Sequence, residues 1–114
     1  MELSSVRRVL LTHAHLFQRA YVYGSVAKGR ADEHSDVDLI LIRETALPFF
    51  DRVREVLDIV NELAPLDFLI YTEDEFQKLL GEPGRYFLKD IAETGVVIEG
   101  RQDRSSAVAA PGGE

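Results

Sequence analysis

The chain has 114 residues, enough for one domain with a single core, and its 46% hydrophobic and 29% charged residues are ordinary for a soluble globular protein. It has no cysteine, which excludes disulfides and thiolate metal sites and suits a cytoplasmic protein. A formal net charge of -7 argues against direct nucleic-acid binding, which calls for a basic surface.

Leu3, Val6, Val9, Leu10, Ala14 and Phe17 recur at helical spacing, so residues 4–18 read as an amphipathic helix. Arg7, Arg8, His13 and His15 break any signal-peptide pattern there, and no segment has the apolar length of a membrane span. Ala20 to Tyr23 is short, β-branched and aromatic, and reads as a buried strand ending at Gly24. Ser25 to Gly29 has room for one or two helical turns, and Arg30 to Ser35 is a charged loop. Asp36 to Ile42 is the clearest strand. Its alternation puts Val37, Leu39 and Leu41 on one face and Asp36, Asp38, Ile40 and Ile42 on the other.

Pro48 suits a first helical turn, and Phe49, Val53, Val56, Leu57, Val60 and Leu63 continue a helical stripe to about Ala64, where Pro65 stops it. Leu66 to Tyr71 alternates again, with Leu66, Phe68 and Ile70 on one face and Asp67, Leu69 and Tyr71 on the other. Thr72-Glu73-Asp74-Glu75 is a capping box that opens a helix running to about Leu80. After the turn Gly81–Gly84 a short helix reaches about Glu93, and Val96 to Ile98 reads as an edge strand. Residues 1–100 form one predicted domain, and the polar, small-residue stretch 101–114 is predicted to be a disordered tail. The order of elements predicts an α+β fold, layered as α/β, with a small mixed β-sheet packed with helices.

Asp is depleted in strands, yet Asp36 and Asp38 share one strand face, about 6–7 Å apart. Two anions this close repel, more so when partly buried, and a divalent cation is the natural compensation. Mg²⁺ prefers carboxylate, water and phosphate oxygens. Asp67 opens another predicted strand and joins the same site if the two strands are neighbours, and three carboxylates suffice for a two-metal phosphoryl-transfer site. Read alone, each of these residues is also compatible with a solvated sheet face.

Gly24-Ser25 lies where a strand gives way to a helix, a junction whose free N–H groups attract phosphate. Lys28 and Arg30 are near enough to neutralise it. An isolated Gly-Ser is more often a plain turn with an N-cap, and neither a Walker A loop nor a dinucleotide fingerprint is present. His13, His15 and His34 read as surface or helix-packing residues.

Ten residues separate Ser25 from Asp36, so the full string is Gly24-Ser25-x10-Asp36-x-Asp38 with a further carboxylate at Asp67. This string resembles the signature of the DNA polymerase β-type nucleotidyltransferase superfamily. The text Tyr23-Gly24-Ser25-Val26-Ala27-Lys28-Gly29-Arg30 and Ser35-Asp36-Val37-Asp38-Leu39 is similar to its compact branch, the minimal nucleotidyltransferases (MNT). The resemblance covers residues 5–100 or so, with no motif position substituted.

The resemblance implies that Gly24 and Ser25 hold the triphosphate of ATP. It implies that Asp36 and Asp38 bind two Mg²⁺ ions, and that Asp67 completes the metal site and helps deprotonate the acceptor hydroxyl. Larger relatives carry a second, substrate-binding domain, for which this length leaves little room. Minimal members are typically paired with a HEPN-domain protein as a toxin–antitoxin system. There the transferase is the antitoxin and moves AMP from ATP to a tyrosine of the HEPN toxin. The same resemblance leaves open a non-catalytic antitoxin that only binds a HEPN partner, and a small-molecule (antibiotic) nucleotidyltransferase.

Overall fold

The computed structural model describes residues 1–32 and 34–102. Helix α1 spans Leu3–Thr12 and stops sooner than the apolar stripe predicts. Thr12 Oγ1 donates to the Arg8 carbonyl, and the His13 N–H bonds back to Val9 and Leu10. The chain tightens into a 3₁₀ turn at Ala14–Leu16, and Phe17 is extended, so that the Gln18 N–H reaches the Ile42 carbonyl at 2.7 Å. Ala14 and Phe17 are buried as their spacing suggests, but Ala14 sits in the 3₁₀ turn and Phe17 in extended backbone.

Strand β1 (Arg19–Tyr23) runs into the four-residue helix α2 (Gly24–Ala27), and strand β2 follows at Val37–Ile42. The single helix expected over 49–64 is instead a 3₁₀ segment, Phe49–Glu55, followed by helix α3, Leu57–Leu63. Side-chain bonds fix the first piece. Arg52 turns inward, donating from Nε to the Leu47 carbonyl at 2.9 Å and from Nη1 to the Ile70 carbonyl at 3.0 Å. Glu55 accepts from Arg43 Nε and Thr45 Oγ1. These tertiary anchors outweigh the weak local preference for a continuous helix. Strand β3 is Leu66–Tyr71, helix α4 Glu73–Leu80, helix α5 Tyr86–Thr94 and strand β4 Val96–Glu99.

The strands form one mixed sheet in the order β3-β2-β1-β4. Strand β1 is antiparallel to both β2 and β4, whereas β2 and β3 are parallel and joined by the 3₁₀ segment and α3. The predicted alternation holds. Val37, Leu39 and Leu41 pack with Ala20, Val22 and Ile70 against Val6 and Leu10 of α1 and Ile59 and Leu63 of α3. On the opposite face, Tyr21, Ile40 and Ile42 meet Phe76 of α4 and Leu88 and Ile91 of α5. Strand β4 is an edge, as expected, and so is β3.

The capping box is present: Thr72 Oγ1 accepts the Glu75 N–H while the Glu75 carboxylate accepts the Thr72 N–H. At the other end of the chain, the Arg101 N–H bonds the Ala14 carbonyl and the Gln102 N–H bonds the Phe17 carbonyl. These two residues, expected to open a disordered tail, are therefore tied to the body of the fold. The rest of that predicted tail, 103–114, lies outside the described residues. Among the described residues no helix is long and apolar enough to cross a membrane.

Candidate active site

Strand β2 is buried on both faces except at one position, Asp38, its second residue. Every other residue of that strand is apolar, so the carboxylate interrupts a hydrophobic strand where the strand leaves the core. The register sets its neighbours. Asp38 pairs with Tyr23, the last residue of β1, on one side and with Asp67 of β3 on the other. Directly paired residues share a sheet face, and adjacent strands lie about 4.8 Å apart. Tyr23, Asp38 and Asp67 thus form one row across the end of the sheet, on the face covered by α4 and α5. Asp36 lies just ahead of β2 and is exposed; the strand begins at Val37, one residue later than predicted.

Gly24 follows Tyr23 and starts α2 with a φ of 75°, a conformation that favours glycine. A Cβ at this position would collide with Asp38 Oδ2 and lie 3.2 Å from its Cγ. The glycine is therefore required by the carboxylate as well as by the backbone, a steric reason that neither a phosphate-binding junction nor a plain turn supplies. Helix α2 ends at once in a Schellman motif. The Arg30 N–H bonds the Ser25 carbonyl at 2.8 Å, the Gly29 N–H bonds Val26, and Gly29 takes a φ of 70°. This tight closure keeps Lys28 and Arg30, both exposed, beside the Gly24-Ser25 turn. In the following loop, Asp32 Oδ1 accepts the His34 N–H at 2.8 Å and the Ser35 hydroxyl at 3.2 Å, which fixes the approach to Asp36.

Electrostatically the row is uncompensated. Burial, then Asp67, then Asp36 push the Asp38 carboxyl above its ordinary value. Burial, followed by Asp38 and Asp67, pushes the Tyr23 phenol up to about 12. Among the described residues no hydrogen bond or ion pair reaches the carboxylates of Asp36, Asp38 or Asp67. Nor, among them, do three His, Asp or Glu side chains already converge into a metal cage. The donor set still fits Mg²⁺, which takes one or two carboxylates and completes its shell with water and phosphate oxygens. Anionic oxygens without a cationic partner at the mouth of an apolar strand are what such an ion would neutralise.

The polymerase beta nucleotidyltransferase family model matches residues 9–104. The chain belongs to that family. The matched span contains every residue of the predicted site, from Gly24 to Asp67. Among solved structures, one from Sulfolobus solfataricus, described as a candidate nucleotidyltransferase, has a TM-score of 0.50 at 20% identity. The match covers 67% of this chain and 71% of that one and supports the shared fold. No curated protein gives a significant match. The family assignment makes this a nucleotidyltransferase-type domain.

Of the predicted site residues in this polymerase beta domain, the fold pairs Asp38 with Asp67 and sets Gly24 against the Asp38 side chain at one sheet end, with Ser25 next in chain and Asp36 two residues from Asp38. Lys28 and Arg30 flank the turn without bonding the carboxylates. Two features escaped sequence reasoning. One is Tyr23, whose ring stands edge-on to Phe87 of α5 with centroids 5.6 Å apart. The other is a cleft of about 190 Å³ between α2 and α5 that runs alongside the turn. The signal for the first was its place immediately before Gly24. The second depends on α5 packing against β1, which no local pattern encodes.

Proposed function

We propose that this chain is a Mg²⁺-dependent nucleotidyltransferase that moves AMP from ATP to a hydroxyl, the acceptor being a tyrosine of a HEPN-type partner toward which it acts as a cytoplasmic antitoxin. The observation that carries the transferase reading is the in-register pair Asp38 and Asp67 beside the Gly24-Ser25 turn. The partner and the direction of transfer rest on the resemblance of the Gly24 to Asp38 string to the minimal branch. The charge of -7 fits a protein acceptor better than a polyanionic one.

In this reading the Gly24-Ser25 backbone and the Ser25 hydroxyl bind the triphosphate, with Lys28 and Arg30 at its outer oxygens. Asp36, Asp38 and Asp67 are the residues that would hold the cation, which when bound supplies Lewis-acid charge to the phosphate oxygens. The acceptor oxygen bonds to the α-phosphorus, the bond from that phosphorus to the bridging oxygen breaks, and pyrophosphate leaves. Asp67, exposed at the open side of the row, takes the proton of the attacking hydroxyl. Tyr23, with its phenol protonated at neutral pH, borders the row without competing for that proton.

The test is transfer of label from α-labelled ATP, with Mg²⁺, to a HEPN-domain protein encoded beside this chain. Labelled tyrosine on that protein is the expected result. Persistence of labelling in the double variant Asp36→Asn, Asp38→Asn would show that the assigned site is wrong.

A further inference from the structure

The cleft between α2 and α5 is lined by Tyr23, Gly24 and Lys28 on one side and by Phe87, Asp90 and Thr94 on the other. The last three are spaced three and four apart, so α5 turns one stripe toward α2. The two walls differ in charge. Lys28 stands on the side of the phosphate-binding turn and Asp90 on the far side. The Asp90 carboxylate has no hydrogen bond or ion pair among the described residues, and only its backbone carbonyl is engaged, by Thr94 Oγ1 at 2.8 Å. Phe87 is 60% exposed and touches Tyr23 by an edge, which leaves ring surface open to the cleft.

A phosphate would be repelled by Asp90, and a plain apolar group would leave the carboxylate stranded. An aromatic ring bearing an amino group satisfies both walls: it stacks on Phe87 and donates to Asp90, while a phosphate attached to it stays at Lys28 and Gly24. We propose that this cleft is the nucleobase subsite of the transferase. Phe87 is its stacking surface, and Asp90 selects bases that carry an exocyclic amine. This rests on the reading of Gly24-Ser25 as the triphosphate site given above.

Calorimetry with three probes in Mg²⁺ separates the two ideas. The probes are ATP, purine-riboside triphosphate (ATP without its 6-amino group), and inorganic tripolyphosphate. Wild-type protein should bind ATP about tenfold more tightly than the deaminated analogue, the usual size of a hydrogen bond to a charged acceptor. Asp90→Ala should shrink that ratio to below about threefold. Phe87→Ala should weaken both nucleotides by about tenfold while leaving tripolyphosphate unchanged. Both side chains are exposed, so neither substitution disturbs the core. If wild type binds ATP and neither variant alters these values, the base subsite is wrong and the triphosphate site stands. If tripolyphosphate binds and ATP binds no better, the subsite falls alone. If none of the three binds, both readings fall.

Discussion

Asp38 is held in a place that favours its neutral form, and this has a measurable cost in the absence of a cation. Its carboxyl is pushed up first by burial and then by Asp67 and Asp36. The folded chain therefore binds that proton more tightly than the unfolded chain does. Stability is fully present below the ordinary carboxylate range and declines as pH rises through the raised value. Asp38→Asn removes this penalty. In chelator at pH 7 the variant should melt above wild type, and the gap should close as pH falls into the ordinary carboxylate range. Equal melting temperatures would mean that the carboxylate is already fully solvated. The same substitution should abolish nucleotidyl transfer.

The connection between the 3₁₀ segment and α4 turns on a buried Arg52, which is only 5% exposed. Its Nη1 and Nη2 reach Oε1 and Oε2 of Glu75 at 2.6 and 2.8 Å, and the same carboxylate closes the capping box of α4. The Arg52 guanidinium, chiefly through these bonds, pulls the Glu75 carboxyl down to about 2. The two partners are not equivalent. Glu75→Ala leaves a buried guanidinium with carbonyls alone and should cost about 3 kcal/mol, whereas Arg52→Met leaves a carboxylate that water can reach and should cost about 1 kcal/mol. Urea denaturation of both variants checks the order. The depressed carboxyl stabilises the fold above its unfolded value and loses that effect as pH falls. The advantage of wild type over Glu75→Gln should therefore shrink as pH drops from 4.5 toward about 2. The capping box was legible in Thr72-Glu73-Asp74-Glu75, but Arg52 was not, since nothing local marks an arginine as facing inward. The strands of this sheet were legible for a related reason. Period-two alternation in 36–42 and 66–71 records which side chains meet a helix layer, so both faces came out as read. The helices at 4–18 and 49–64 were overextended because their apolar spacing reports burial, and buried residues here also sit in 3₁₀ turns and extended backbone.

Across the whole molecule the acidic row and the net charge of -7 make divalent cations the expected stabilising ligand. Mg²⁺ at a hundred times its dissociation constant should add about 2.7 kcal/mol to wild type, visible as a saturable rise in melting temperature. No such rise should occur in Asp38→Asn. The signature was readable because Gly24, Ser25, Asp36 and Asp38 stand at a fixed spacing in one short stretch of chain. The neighbouring positions of β2 and β3 that bring Asp67 beside Asp38 are a property of sheet order, which no spacing rule supplies. The closeness of Gly24 to Asp38 has a practical side. Most ways of silencing an acidic active site delete a negative charge, and so alter long-range attraction to any partner along with the chemistry. Gly24→Ala deletes none. Its methyl group would displace the Asp38 carboxylate and strain the turn, at about 1–2 kcal/mol of stability, while all three acids and the overall charge remain. A protein altered in this way is a charge-matched blank: any partner it still captures is held by surface and shape, and whatever it fails to do is chemistry.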